Sequence, residues 1–142
     1  MNWYKASLDI KTEGQGFYNI TEAIEHQLQD WQVKDGLAFL FLQHTSASLV
    51  INESFAASAR RDMETFLEKL APRDETWYEH TMEGSDDSPA HLRTMLTHTS
   101  LTIPIDEGHL HLGTWQGLYL AEHRRHRQRR QVLLRVLAIH PS

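Results

Sequence analysis

Residues 37–42 read Leu-Ala-Phe-Leu-Phe-Leu, and the polar stretch Gln43-His44-Thr45-Ser46-Ala47-Ser48 follows with no spacer. A continuous apolar run this short suits a strand buried on both faces. The end of a rigid strand is a good place to present a histidine, a threonine and two serines. Small hydroxyl residues also let backbone N–H groups approach an anion. A polar turn that caps a core strand has the same composition, so the segment alone leaves both readings open.

The rest of the chain supplies strands and helices around that element. Loose alternation over 3–10 predicts a first strand. Ile20, Ile24, Leu28 and Trp31 recur at helical spacing, so 20–31 reads as a helix packed by one face. Asn19 and Glu22 are placed as its capping box. Asp35-Gly36 turns the chain, and Leu49-Val50-Ile51 is a second short strand. Phe55, Ala59, Met63, Phe66, Leu67 and Leu70 line a stripe of a helix over 54–70. Ser88-Pro89 starts a third helix over 89–98, with Ser as N-cap and Pro at the first helical position. Leu101, Ile103 and Ile105 alternate up to the turn Asp106-Glu107-Gly108, and 110–112 pairs back. Residues 117–122 and 131–139 are two further strands. The fold class is α+β, with about six to eight strands and about three helices in a single domain, 1–142.

Composition narrows the chemistry. With no cysteine, disulfides, thiolate metal sites, cysteine nucleophiles and iron–sulfur clusters are excluded. No apolar run is long enough to span a bilayer and the first residues hold no signal-like apolar region, so the expected location is cytoplasmic. Ten histidines in 142 residues is high usage of the commonest metal ligand. Charge is segregated: residues 74–87 carry six acids and no Lys or Arg, while Arg124-Arg125-His126-Arg127-Gln128-Arg129-Arg130 carries five Arg and no acid. That basic segment lies between two strands in a chain of net charge −5 and has no stacking aromatics, so it reads as a solvated hairpin tip rather than a nucleic-acid site. Arg124 is still able to reach a phosphate.

Three other places carry chemistry. His80, Glu83, Asp86, Asp87 and His91 can converge where the loop after Tyr78 meets a helix start, and imidazole plus carboxylate suits a divalent cation. A solvated acidic loop is the alternative. Asp62 falls in an apolar helical stripe, where a carboxylate needs either a basic partner or a backbone N–H. Gly113-Thr114-Trp115-Gln116-Gly117 brackets a potential stacking ring with two glycines. His109 and His111 share a strand face, and His91 and His98 lie nearly two helical turns apart, about 10 Å. These last pairs read as incidental.

Taken in order, QHTSASLVINE (43–53), YEHTMEGSDDSPAHL (78–92), SLTIPIDEG (100–108) and LGTWQGLYLAEHR (112–124) resemble the motifs of the YjbQ family. The match falls on His44, Asn52, Asp62, His80, Glu83, Gly84, Asp86, His91, Gly113, Thr114, Trp115, Gln116 and Glu122. The resemblance implies a sandwich with a mixed or antiparallel sheet, assembled as a homotrimer with clefts between subunits. It implies His44, His80 and His91 around zinc or magnesium, and His44, Asp62 and Glu83 in catalysis. Ser46, Asn52, Asp86, Arg93, Thr114, Trp115, Gln116 and Arg124 are its implied ligand contacts.

The family carries the label secondary thiamine-phosphate synthase, which implies joining an aminopyrimidine diphosphate to a thiazole phosphate. Asp86 and Asp87 would then hold magnesium, Arg93 or Arg124 would steady phosphate, and Trp115 would stack the pyrimidine. A second reading is a zinc-dependent hydrolase with Glu83 or Asp62 as general base. A third is a non-enzymatic homotrimer that binds a small phosphorylated or anionic metabolite. None of the three involves nucleic acid or a membrane.

Overall fold

A computed structural model describes residues 1–139. In chain order its elements are β1 (Asn2–Thr12), β2 (Gly16–Asn19), α1 (Thr21–Asp30), β3 (Gly36–Leu42), β4 (Ala47–Glu53), α2 (Ala57–Leu70), α3 (Asp87–Thr94), β5 (Ser100–Asp106), β6 (His109–Leu110), β7 (Gln116–Glu122) and β8 (Gln128–Ala138). They form a five-stranded sheet, β1-β8-β3-β5-β6, and a three-stranded sheet, β2-β7-β4. The strand pairs within both sheets are antiparallel.

Burial explains the layering. Leu40, Leu42, Ile103, Val132 and Leu134 of the large sheet meet Leu49, Leu118 and Leu120 of the small one, and Ile24 and Leu28 of α1 close the same cluster. On the other side of the small sheet, Phe17, Val50, Tyr119 and Ala121 pack against Leu67 and Met63 of α2. The strands covered on both faces are therefore β4 and β7. The expectation that 37–42 is buried on both faces is corrected: β3 alternates, with Ala38, Leu40 and Leu42 inside and Leu37 and Phe41 exposed. Its second face looks away from the core, with Phe39 half-buried beside Trp3 and Leu37 and Phe41 exposed.

Local readings shift for identifiable reasons. Asn19 ends β2, and its side-chain oxygen accepts from the Thr21 N–H at 3.0 Å instead of completing a capping box with Glu22. The third helix begins at Asp87, one residue before Ser88, and ends at Thr94 rather than 98. Its exit is held elsewhere, because His98 bridges to Leu49 in β4. In α2 the inward side chains are Leu67 and Met63, so Asp62 is exposed and the stripe that contained it is misphased. Strand β2 escaped the sequence reading because four residues are too few to show a period.

Gly36 is a close-approach position rather than a simple turn. A Cβ there would lie 2.0 Å from the Leu137 carbonyl oxygen, and its φ is +153°. Gly36→Ala must push β3 off β8. We expect a loss of at least about 2 kcal/mol, read as a lower urea midpoint; an unchanged midpoint would contradict this packing.

Candidate functional site

The register places Ala47, the first residue of β4, opposite Glu122, the last of β7. Strand β8 starts nearby, and α3 and the loop before it close over the same end. Gly84 lets that loop turn back: its φ is +111°, and a Cβ would lie 3.0 Å from Asp86 Oδ1. Glutamate 83, glycine 84 and the two aspartates of this motif thus serve one tight bend.

Three side chains meet there. His80 Nε2 lies 2.7 Å and His91 Nε2 3.1 Å from one oxygen, Asp87 Oδ2. All three donor atoms fall within 4.8 Å of one another. Asp87 is buried, while the His80 and His91 side chains are 54% and 35% exposed, so the group is anchored from below and open to solvent. Asp87 and His91 stand four residues apart on α3, which puts them on one helix face.

The surroundings orient these donors. His91 Nδ1 is 2.7 Å from the Thr45 carbonyl, so this nitrogen carries the proton and donates. In the neutral ring Nε2 then offers a lone pair toward Asp87 Oδ2, itself a lone-pair donor. The 3.1 Å contact is satisfied either by a proton on Nε2, as in a His–Asp ion pair, or by a metal ion held by both atoms. Arg124 fixes the rest: Nη1 donates to Asp87 Oδ1 at 2.6 Å, Nε to Asp86 Oδ2 at 3.0 Å and Nη2 to the Glu83 carbonyl at 3.0 Å. Burial pulls the Asp86 carboxyl upward, but the Arg125 N–H and the Arg124 guanidinium outweigh it and hold it below its ordinary value. Asp86 is a clamp for Arg124, and the two-aspartate magnesium site anticipated from sequence is not assembled.

His44 belongs to a neighbouring cluster. Its Nε2 accepts from the Gln131 N–H at 3.1 Å, and its Nδ1 lies 3.4 Å from Arg130 Nη1. Burial first, then the Arg130 charge, lower its pKa, against the pull of Glu122. It therefore lies outside the donor group, whose third member is Asp87. Arg130 in turn is buried, with Nε and Nη2 donating to Glu122 at 2.8 and 2.5 Å and Nη2 to Ser46 Oγ at 2.9 Å. Thr12 Oγ1 and the Arg124 N–H complete Glu122 at 2.6 and 3.1 Å. Ser46 thus supports an ion pair, and Arg130 is no part of a solvated tip.

The remaining candidates lie elsewhere. Asn52 pairs with Gly117 in the ladder, at the opposite end of β7 from Glu122. Seven strand residues separate the two ends by roughly 20 Å. Thr114 and Gln116 are exposed beside it, with Gln116 Oε1 accepting from the Gly113 N–H at 2.8 Å. Trp115 is 57% exposed and meets Phe55 edge-on. Within one chain this end does not reach the histidines. Asp62 faces solvent on α2, and Arg93 is buried on a face of α3 other than that of His91. His109 and His111 sit apart, near Glu25 and Asp106.

Sequence reading missed His123. It is 2% exposed, and its Nε2 lies 2.8 Å from Ser48 Oγ, which Thr97 Oγ1 approaches at 2.6 Å. Burial, with Arg93 and Arg130 nearby, pushes its imidazole down to about 3. Below the ordinary value near 6.5 the unfolded chain binds a proton that the native ring refuses. This contribution is complete above pH 6.5 and is lost as pH falls toward 3. His123→Gln should therefore flatten the decline of unfolding free energy between about pH 6.5 and 4.5 in urea titrations. An equally steep decline would contradict a buried neutral ring. The sequence signal for Asp87 was its i, i+4 spacing to His91, whereas nothing local marked His123 or the inward turn of Arg130.

Comparison with known proteins agrees with this geometry at the level of the fold. The family model described as UPF0047 protein YjbQ-like matches residues 6–138. UPF0047 protein sll1880 of Synechocystis is 44% identical over 129 residues, 91% of this chain and 88% of that protein. UPF0047 protein YjbQ of Escherichia coli O157:H7 is 42% identical over 132 residues, 92% of this chain and 95% of its own. Among solved structures, the conserved hypothetical protein TT1486 from Thermus thermophilus superposes with a TM-score of 0.84 at 35% identity, covering 93% of this chain and 99% of that one. An uncharacterised YjbQ/UPF0047 protein from Clostridium acetobutylicum gives 0.84 at 33% identity, with the same coverage.

Proposed function

The chain belongs to the UPF0047 YjbQ-like family, and from that premise we propose that it is a zinc-dependent hydrolase of a small anionic molecule, with His80, Asp87 and His91 as the zinc ligands. The observation that carries this reading is the convergence of both Nε2 atoms on Asp87 Oδ2 while His91 Nδ1 is committed to the Thr45 carbonyl. Two imidazole nitrogens and one carboxylate oxygen suit zinc better than magnesium, which prefers oxygen. Three protein ligands leave a coordination position open, as catalytic zinc sites do. A zinc ion held there would supply a Lewis acid that activates water.

The protein's own residues then divide the work. The Thr45 carbonyl fixes the tautomer and direction of His91, and Arg124 holds Asp87 Oδ1 so that Oδ2 faces the histidines. Glu83, exposed on the same bend, is the proton acceptor in this reading. Asp62 has no part in it. The transferase reading asks for magnesium on the two aspartates and a free arginine for the leaving group. Arg124 is engaged with Asp86, Asp87 and Glu83, and Arg93 is buried on a different face of α3 from His91, so neither arginine stands free beside the aspartates and the arrangement supports hydrolysis better.

A homotrimer belongs to the same proposal. Trp3, Leu37 and Phe41 are 52%, 36% and 47% exposed, and the ladder puts them on one uncovered face of the large sheet. An apolar face of that kind favours association. Light scattering should give three times the 16.5 kDa chain mass; the mass of one chain would refute assembly.

The activity test is hydrolysis of a panel of small phosphate and carboxylate esters. Turnover should need zinc, disappear in His80→Ala and fall in Glu83→Gln. Equal rates with and without chelator would overturn the proposal.

A further inference from the structure

Behind α3, on the far side from the histidines, a cavity of about 180 Å³ lies between α2 and the strand ends at Phe17 and Ala121. It is smaller than sites for drug-sized ligands, about 300–1,000 Å³, so an occupant must be small. Arg93 lines it and is 4% exposed. Arg93 Nη2 donates to the Ala71 carbonyl at 3.0 Å, but buried Nε has no hydrogen-bond partner. Among the described residues no carboxylate lies within 4.0 Å of the guanidinium. Glu68 and Asp86 act on it only from beyond contact distance; a buried guanidinium with no contacting carboxylate is costly, and its fork geometry matches a carboxylate or phosphate.

The same cavity carries acids at its solvent side. Glu64 is half-buried and Glu68 exposed, and among the described residues neither has a cation within 4.0 Å, Glu68 acting on Arg93 from further off. Glu122 also lines it, but Arg130 neutralises that carboxylate. With a cation that no carboxylate contacts inside and two acids outside, a bare anion is repelled at the entrance and a bare cation meets Arg93. A ligand bearing both charges satisfies both ends.

We infer that this cavity binds a small zwitterion of the α-amino-acid type, its anionic group on Arg93 and its ammonium between Glu64 and Glu68. The inference is independent of the zinc proposal, since none of these three residues is a proposed ligand. The test is calorimetric titration of the full chain with glycine, L-alanine and L-serine. Acetate, inorganic phosphate and ethylamine serve as single-charge probes. At least one amino acid should bind, and each single-charge probe should bind at least about tenfold more weakly.

Arg93→Met should remove binding while leaving the zinc content unchanged. It exchanges a buried charge, with its bond to the Ala71 carbonyl, for an apolar side chain of similar length, and urea unfolding checks that the variant is folded. Glu64→Gln with Glu68→Gln, a change outside the core, should weaken binding about tenfold. The assignment is overturned if no amino acid binds, if acetate or phosphate binds as tightly, or if either variant binds like the parent.

Discussion

Glu122→Ala should cost the fold about 3–5 kcal/mol, the range for breaking a buried ion pair from one side. Both partners are almost fully buried, at 2% for Glu122 and 5% for Arg130. Removing the carboxylate leaves Arg130 with only neutral acceptors, the Ser46 hydroxyl and carbonyl. It also leaves Thr12 Oγ1 and the Arg124 N–H without the oxygens they contact. The loss comes from the stranded charge more than from the attraction removed. Replacing both residues by apolar ones, Glu122→Leu with Arg130→Met, should therefore cost less than Glu122→Ala alone. Urea unfolding measures all three variants, provided the slope stays constant. A double variant as unstable as the sum of the two singles would show that the pair itself, not the stranded partner, stabilises the strand ends.

His91→Ala should weaken zinc binding by at least about a hundredfold, beyond the range for losing a supporting residue. It removes one of three donors and the contact that ties α3 to Thr45. Since the His91 side chain is 35% exposed, stability without metal should change by about 1 kcal/mol or less. His44→Ala is the comparison that gives this result meaning. His44 bonds to Gln131 and faces Arg130, so its loss should leave zinc affinity within a few-fold of the parent. Competition titrations with a chromophoric chelator read both variants. Equal losses in the two would return His44 to the donor set.

The layered fold was legible where periodicity is long. Helix α1 announced itself through Ile24 and Leu28, and β5 through Ile103 and Ile105, because each buries every second or every third-to-fourth residue. What failed was the inference from apolar content to burial. The run at 37–42 is apolar on both sides, yet Leu37 and Phe41 are exposed in the chain, while β4 and β7 are covered by a second sheet and a helix. Phase errors had a related cause. In α2 both Phe66 and Leu67 are apolar and only Leu67 is buried, so the pattern admitted two registers and Asp62 was assigned to the wrong side.

The site divided along the same line. His80, Asp87 and His91 are close in sequence, and a loop running into a helix brings them together without long-range information. The ion pair of Glu122 with Arg130, and the burial of His123, depend on strand ends meeting across the sandwich. Local composition carries no trace of that meeting. Arg124 and Arg130 look identical to Arg127 in a basic run. The first two are folded inward by acids, whereas Arg127 holds Glu13 at the surface, 84% exposed.

Elemental analysis of protein prepared without a tag or a metal-affinity resin bears most directly on the centre formed by His80, Asp87 and His91. We expect close to one zinc per chain in the parent and little in His80→Ala with His91→Ala. A parent that holds no zinc and takes up none on addition, or a double variant that holds as much as the parent, would contradict the account.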